Sequence, residues 1–361
     1  MTFKEKLNIM GSMLYPLIKP LLFSLDPETA HNLTISIAKL GPFLGRLSGK
    51  IPNPELKLRV GSLDWIFPIG LAAGLDKNAE ALPFFSSQGF GSVECGTVTL
   101  KPQDGNLRPR MFRYPQDLSL RNAMGFPNHG LLEILPRIKN YHGSPPLGVN
   151  LGKNKETSEV DSIEELSLLF NTLIEYGDYF VINVSSPNTP GLRALQEKSY
   201  LSELFSELNK NRNSKDLYLK IAPDLSKEKI IELTHLAQEF KLSGLIATNT
   251  TIIPERGAGG ISGLLLKKKS QEVRRIILNE ETDLEVIAVG GISNVNDLFE
   301  LWKDGGKAAQ VYTAYVYQGP DLIKKFHMAI WDFLVKQDMS LSDFFSLSIA
   351  QRRHCLKDYG A

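Results

Sequence analysis

From residue 66 onward, short apolar runs alternate with amphipathic stretches, and no other feature constrains the fold as strongly. The runs are IFPIGLAAG, SVECGTVT, PLGVNLG, YFVINVSS, LYLKIAPD, GLIATNT, EVIAVGG and AAQVYTAY. Between them lie stretches such as SIEELSLLFNTLIEYG, KEKIIELTHLAQEF and NVNDLFELWKDG, with apolar residues at helical spacing. An apolar run of this length bounded by turn formers suits a strand buried on both faces. Strands alternating with helices imply parallel strands joined by crossovers. Eight such units close most naturally into a (β/α)8 barrel, an α/β fold, with a doubly wound open sheet as the alternative. At 361 residues the length admits two domains as readily as one. We divide the chain into a helical extension over 1–50, a barrel over 51–336 and a C-terminal tail over 337–361.

The extension has no strand pattern. Leu14, Leu17, Ile18, Leu21, Leu22 and Leu25 recur at helical spacing, with Lys19 between them. A second helix follows, with Asp26 as N-cap, Pro27 at the first position and a stripe of Ala30, Leu33, Ile37 and Leu40. Such stripes dock onto a main domain or meet a membrane surface. Pro52 and Pro54 mark a linker.

Charge narrows the function classes. The chain carries 41 basic and 40 acidic side chains, which argues against a nucleic-acid partner. Cys95 and Cys355 are far apart and the six histidines show no ligand spacing, so neither a disulfide framework nor a metal is expected. No apolar run reaches the ~20 residues needed to span a bilayer.

In a barrel the chemistry sits where strands end, and polar residues collect there. Gly74 and Lys77 follow the first strand, Asn150 ends the third, and NVSSPNTPGLR, residues 183–193, follows the fourth. Two prolines fix the shape of that last loop, since each locks φ near about −65°. It presents two serines, either of which could do chemistry. Lys220 lies inside the apolar fifth strand, where an unpaired cation is costly. Neighbouring strands offer it no acid, which favours an anionic ligand over a structural ion pair. Gly259–Gly260, Ser262–Gly263, Gly290–Gly291 and Tyr312–Thr313 can form a backbone phosphate cradle near strands seven and eight. Asn122, Asn150, Asn183, Asn188 and Asn249 gather at one face and suit a planar, amide-rich ligand such as a pyrimidine.

LAAGLDKN, ECGTVTLKPQDGN, RPRMFR, GVNLGKNK, INVSSPNTPGLR, KIAPDLS, ATNTT and AVGGI occur in this order. Together they closely resemble the dihydroorotate dehydrogenases of class 2, the quinone-dependent group, over nearly the whole chain. The resemblance implies an FMN-containing barrel that oxidises dihydroorotate to orotate in pyrimidine synthesis and passes electrons to a membrane quinone. It places the catalytic base on Ser186, where class 1 enzymes carry a cysteine, and leaves Ser185 a structural role. It implies substrate contacts at Lys77, Asn122, Ala123, Met124, Gly125, Phe126, Asn183, Asn188, Asn249 and Thr250. For FMN it implies Ala72, Ala73, Gly74, Leu75, Asp76, Thr97, Asn150, Asn183, Lys220 and Thr248, with Gly263, Gly291, Tyr312 and Thr313 at the phosphate. His31 and Arg113 fall near the quinone head, and the N-terminal helices lie on the membrane.

The chain departs from the family pattern in two loops. ISGLLLKKKS lacks a common arginine and proline, and RNAMGFPNHG has alanine and proline where arginine and asparagine are usual. The tail extends beyond the matched part. A soluble enzyme using fumarate or a nicotinamide partner is the alternative within the fold, and Ser186 and the N-terminal helices argue against it. A non-catalytic FMN-binding barrel is the alternative outside catalysis. Without an Arg-rich, acid-poor leader, the expected location is peripheral, on the cytoplasmic side of a bacterial membrane rather than in mitochondria.

Overall fold

The structure, a computed structural model, describes residues 15–41 and 56–359. Leu14, the linker prolines Pro52 and Pro54 and the boundary drawn at residue 50 lie outside them. The eight apolar runs form strands β1 (Ile69–Leu71), β2 (Val93–Val98), β3 (Leu147–Leu151), β4 (Tyr179–Asn183), β5 (Asp216–Ile221), β6 (Gly244–Ala247), β7 (Glu285–Val289) and β8 (Ala308–Val311). They pair in chain order, all parallel, and β8 closes on β1. The barrel is the expected architecture. Its strands are buried on both faces because helices cover the outside, which is why the sequence shows continuous rather than alternating apolar runs. Cys95, in β2, is fully enclosed.

One strand is shorter than the sequence suggests. β8 stops at Val311, Tyr312 leaves extended geometry, and Thr313–Gln318 is a helix. The YTAY stretch reads as strand because Thr313, Ala314, Tyr315 and Tyr317 are all buried, so apolar content gives no helical period there.

Two small sheets flank the barrel. The hairpin Leu58–Val60 and Leu63–Trp65 covers its N-terminal end, where Ser62 N–H donates to Asp216 at 2.7 Å. At the opposite end Met111–Tyr114, Ser119–Asn122 and Gly260–Gly263 form a three-stranded antiparallel sheet. This sheet was not foreseen. It carries Asn122 and Gly263 to the barrel mouth.

Residues 15–24 form helix α1 and Pro27–Ala38 form α2. Asp26 caps α2 as expected, accepting from the N–H groups of Glu28 and Thr29. The apolar stripe does not face the barrel, however. Of its members only Ala30 is buried; Leu33, Ile37 and Leu40 are exposed, Leu40 by 76%. The barrel-facing side is Glu28, Ala30, Ile35 and Ala38. Glu28 forms a buried ion pair with Arg110, whose Nε and Nη2 reach the carboxylate at 2.7–3.2 Å. Arg113 donates to the carbonyls of Leu22 and Leu25 at the end of α1, at 3.2 and 2.8 Å.

The tail is packed rather than trailing. After the helix Asp321–Gln337 come Leu341–Ser346 and Ile349–Cys355, each opened by a serine capping box. Phe344 and Phe345 pack on Trp302 at 5.3 and 5.2 Å between centroids, and Tyr359 packs on Phe333 at 5.2 Å. Arg353 donates to the carbonyl of Lys303 at 2.9 Å, which ties the last helix to Val295–Asp304.

Candidate active site

A cavity of about 290 Å³ opens at the C-terminal ends of the strands, under the three-stranded sheet. Its lining includes Ala72, Ala73, Gly74, Lys77, Thr97, Asn122, Met124, Gly125, Phe126, Asn183, Ser186, Asn188, Lys220, Thr248, Asn249 and Thr250. Gly263, Gly291, Tyr312 and Thr313 line it as well. Most residues singled out from sequence therefore share one space.

The loop after β4 separates its two serines. Ser185 is fully buried; its Oγ donates to Asn183 Oδ1 and accepts from Asn249 Nδ2, both at 3.0 Å. Its hydrogen bonds are used inside the wall. Ser186 lines the cavity instead, and among the described residues its Oγ accepts only the N–H of Asn188, at 3.3 Å. The hydroxyl proton of Ser186 is thus free to meet a ligand.

Behind this loop runs an amide network. Asn183 Nδ2 donates to Asn150 Oδ1 at 3.0 Å and Thr97 Oγ1 at 3.1 Å, and Thr97 donates to Asn150 at 2.7 Å. Asn249 Oδ1 accepts from Thr250 N–H at 2.8 Å. Asn188 Nδ2 donates to Asn122 Oδ1 at 2.9 Å across the mouth. Such mutual bonds fix each amide's orientation, so the remaining lone pairs and N–H groups face the ligand in set directions.

Lys220 aligns with Asn183 on one side and Ile246 on the other. No acid sits on those two strands. The barrel interior nonetheless holds one that sequence reading overlooked: Glu94 of β2, fully buried. Its carboxylate accepts from Asn150 Nδ2 at 2.8 Å and Gln310 Nε2 at 2.6 Å. Burial pulls the Lys220 ammonium down from the ordinary lysine value, and Glu94 resists this from beyond ion-pair distance. The cation therefore faces the cavity without a hydrogen-bonded partner among the described residues. A buried cation of this kind favours an anionic ligand.

The glycine end is shaped by sterics. Gly291 has φ +77, and a Cβ there would lie 2.4 Å from the Lys267 Cα. Gly263 has φ +88, and a Cβ would meet the Leu118 carbonyl oxygen at 2.4 Å. Only glycine brings both backbones this close. Both glycines line the cavity together with Tyr312 and Thr313.

Several expected residues stand behind the wall rather than on it. Asp76 is buried and its carboxylate accepts from the N–H groups of Glu80 and Ala81 at 2.8 Å. Leu75 packs in the core, Asn150 supports Thr97 and Asn183, and Ala123 does not line the cavity. His31 and Arg113 are also outside it. His31 Nε2 lies 3.0 Å from Lys77 Nζ, and burial with the nearby ammonium holds the imidazole well below its usual range. The contact requires a neutral ring accepting from the lysine. Arg113 stacks on Phe23 at 4.6 Å besides capping α1. Conversely, Lys19, Met111, Leu120, Gln310 and Tyr317 line the cavity and were not singled out as site residues. Gln310 and Glu94 were detectable, each a polar residue inside an apolar run, the signal that marked Lys220.

The family model described as "Dihydroorotate dehydrogenase" matches residues 55–334. The chain belongs to the dihydroorotate dehydrogenase family. A protein of Sulfurimonas denitrificans named "Dihydroorotate dehydrogenase (quinone)" is 43% identical, over 90% of this chain and 95% of its own. One of Thermus thermophilus with the same name is 44% identical, over 83% of this chain and 91% of its own. Among solved structures, the Eimeria tenella dihydroorotate dehydrogenase with ferulenol superposes with a TM-score of 0.79 at 33% identity, covering 87% of this chain and 93% of that one. The dihydroorotate dehydrogenase match of 55–334 takes in the barrel and the three-stranded sheet, and α1 and α2 precede it.

Proposed function

We infer that this chain oxidises dihydroorotate to orotate, with FMN in the barrel mouth and a quinone as the final electron acceptor. Relatives named as quinone-dependent dihydroorotate dehydrogenases support the reaction. The observation that carries the site assignment is the shared cavity, where the Ser186 hydroxyl, the ordered amides and Lys220, with no hydrogen-bonded partner among the described residues, converge.

The residues present fit FMN. Lys220 would supply the cation for the electron-rich edge of a flavin, and Thr97, Thr248 and Ala72–Gly74 line the space that would hold it. The amides at Gly263, Gly291 and Thr313 suit its phosphate. When bound, FMN supplies the hydride acceptor for C6 of the substrate and the route for electrons to the quinone.

The chain's own residues do the rest. Lys77 meets the substrate carboxylate, and Asn122, Asn183, Asn188, Asn249 and Thr250 orient the ring. Ser186 Oγ takes the proton from C5 while its own hydroxyl proton passes to a water or hydrogen-bonded neighbour in the cavity. A serine is a weak base, and the Asn188 N–H at 3.3 Å favours the alkoxide character that Oγ gains as its own proton leaves. The rigid loop holds that oxygen within reach of one carbon.

The N-terminal helices support a quinone rather than a soluble acceptor. Leu17, Leu21 and Leu40 are 75%, 67% and 76% exposed, an apolar surface suited to a membrane face. No helix among the described residues is long and apolar enough to cross a membrane; the exposed leucines motivate the proposal of peripheral attachment, on the cytoplasmic side. His31 and Arg113 are proposed at the approach to the quinone.

The test is anaerobic visible absorbance before and after dihydroorotate. A flavin band that bleaches supports cofactor and substrate together; a band that persists rejects the substrate. Ser186→Ala is then expected to slow bleaching by about 10²–10⁴-fold. Normal bleaching in that variant rejects Ser186 as base.

A further inference from the structure

Arg193 ends the loop that carries Ser186, in the short helix Leu192–Gln196. Its guanidinium joins three βα loops. Nε donates to the Ser185 carbonyl at 3.0 Å, in the loop after β4. Nη2 donates to the Thr250 carbonyl at 2.8 Å, in the loop after β6. Nη1 donates to Asp224 Oδ2 at 2.8 Å, in the loop after β5. The other Asp224 oxygen accepts from Thr251 Oγ1 and Lys269. Gln196 adds a second tie, its side chain accepting from Ala222 N–H at 3.2 Å and donating to the Arg193 carbonyl at 3.2 Å.

This arrangement bears on chemistry because of which carbonyls are held. The Ser185 carbonyl belongs to the peptide plane whose nitrogen is Ser186, so fixing that oxygen fixes the backbone from which the Ser186 side chain projects. Thr250 lines the same cavity, and its Oγ1 is buried with no hydrogen-bond partner among the described residues. A planar fork with five donors can hold both carbonyls and a carboxylate at once; an ammonium cannot match that geometry.

We propose that Arg193 is a positioning residue for the reaction, setting the distance between Ser186 Oγ and a substrate held by Asn249 and Thr250. It does so from behind the wall, with Asp224 as its anchor. The proposal rests on the reading of Ser186 as base.

The test uses the full-length flavin-loaded protein and the rate of anaerobic flavin bleaching by saturating dihydroorotate. Arg193→Met is expected to slow bleaching by about 10–10²-fold, since a misplacement of about 1 Å costs that order. Arg193→Lys keeps the charge and a single contact and should recover part of the loss. The deciding measurement is the double variant with Ser186→Ala. If Arg193 acts through Ser186, the double variant bleaches at the Ser186→Ala rate within about twofold, because the two losses are one loss. Multiplied losses mean a general structural role and overturn the proposal. A wild-type rate in Arg193→Met, with Ser186→Ala slow, overturns it while leaving the base in place. A wild-type rate in Ser186→Ala overturns the base itself. If Arg193→Met does not accumulate as folded flavoprotein, Arg193→Lys and Asp224→Asn carry the same cycles against Ser186→Ala, read in the same way.

Discussion

Removing the Glu28 carboxylate should uncouple the two halves of turnover. Glu28 is buried on the barrel side of α2 and receives two donors of Arg110, plus Arg108 at 3.1 Å. In Glu28→Ala the Arg110 guanidinium keeps only the carbonyls of Asp104 and Asn106, at 2.5 and 2.7 Å. Removing one partner of a buried ion pair costs about 3–5 kcal/mol. Two surviving acceptors place this case near the lower figure, about 3 kcal/mol, or on the order of 10² in the docking equilibrium of α2. The remaining ties of the extension include Lys39 with Glu80 at 2.6 Å and Arg113 with α1. Glu28 also favours the charged form of Lys77, so the comparison belongs well below the Lys77 value of about 8. Quinone-dependent turnover and protease resistance of the extension should both fall well below wild type. Flavin bleaching by dihydroorotate should change by less than about threefold, since apart from Lys19 of α1 the described cavity lining belongs to the barrel and its loops. Glu28→Gln, which retains an acceptor, should lie between. Equal losses in both half-reactions, or none in either, would refute the argument.

Two further outcomes follow from the site. Burial depresses the Lys77 ammonium to about 8, with Glu28 and Asp76 opposing the drop and Arg110 adding to it. If Lys77 meets the substrate carboxylate, kcat/KM for dihydroorotate should fall about tenfold per unit above that pH, with a weaker trend in kcat, because the bound anion holds the proton on. The stability sign runs the other way: the buried charge is a full penalty below about pH 8 and is relieved as pH rises toward the unfolded value of 10.5, where the unfolded chain binds more protons. Potentiometric stability curves of wild type and Lys77→Met, compared between pH 7 and 10, check it. Gly291→Ala combines φ +77 with a Cβ 2.4 Å from the Lys267 Cα, so backbone must move. We expect a loss above about 1–2 kcal/mol on thermal unfolding and flavin content below half of wild type after gel filtration; full flavin retention would argue against the cradle.

The barrel was legible because its strands are buried on both faces and read as unbroken apolar runs. Polar residues inside those runs were legible for the same reason, and Lys220 stood out by its cost. Glu94 and Gln310 carried the same signal, but what stabilises Glu94 is an amide on β3 and another on β8, a closure that only the fold reveals. The three-stranded sheet was hidden because its strands have four residues each and Gly260–Gly263 pairs with a strand about 140 residues earlier. The stripe on α2 had the right period but no label for what lies beyond it; the barrel takes Glu28 and small residues, and the leucines point away. The separate duties of Ser185 and Ser186 came from resemblance, and the geometry gives a physical basis: one hydroxyl is spent inside the wall and the other is not.

The two cysteines have opposite fates, and this makes the protein ready for labelling without substitution. Cys95 sits inside β2, where burial pushes its thiol well above the usual range and no reagent reaches it. Cys355 closes the last helix and is partly exposed. A thiol-reactive fluorophore should attach there alone. The Arg353 contact to the Lys303 carbonyl sets it near the C-terminal end of the helix Val295–Asp304, away from the Gly290–Gly291 turn. A label there leaves the candidate site free, and attachment to membranes too turbid for absorbance could be followed by its emission in unmodified sequence.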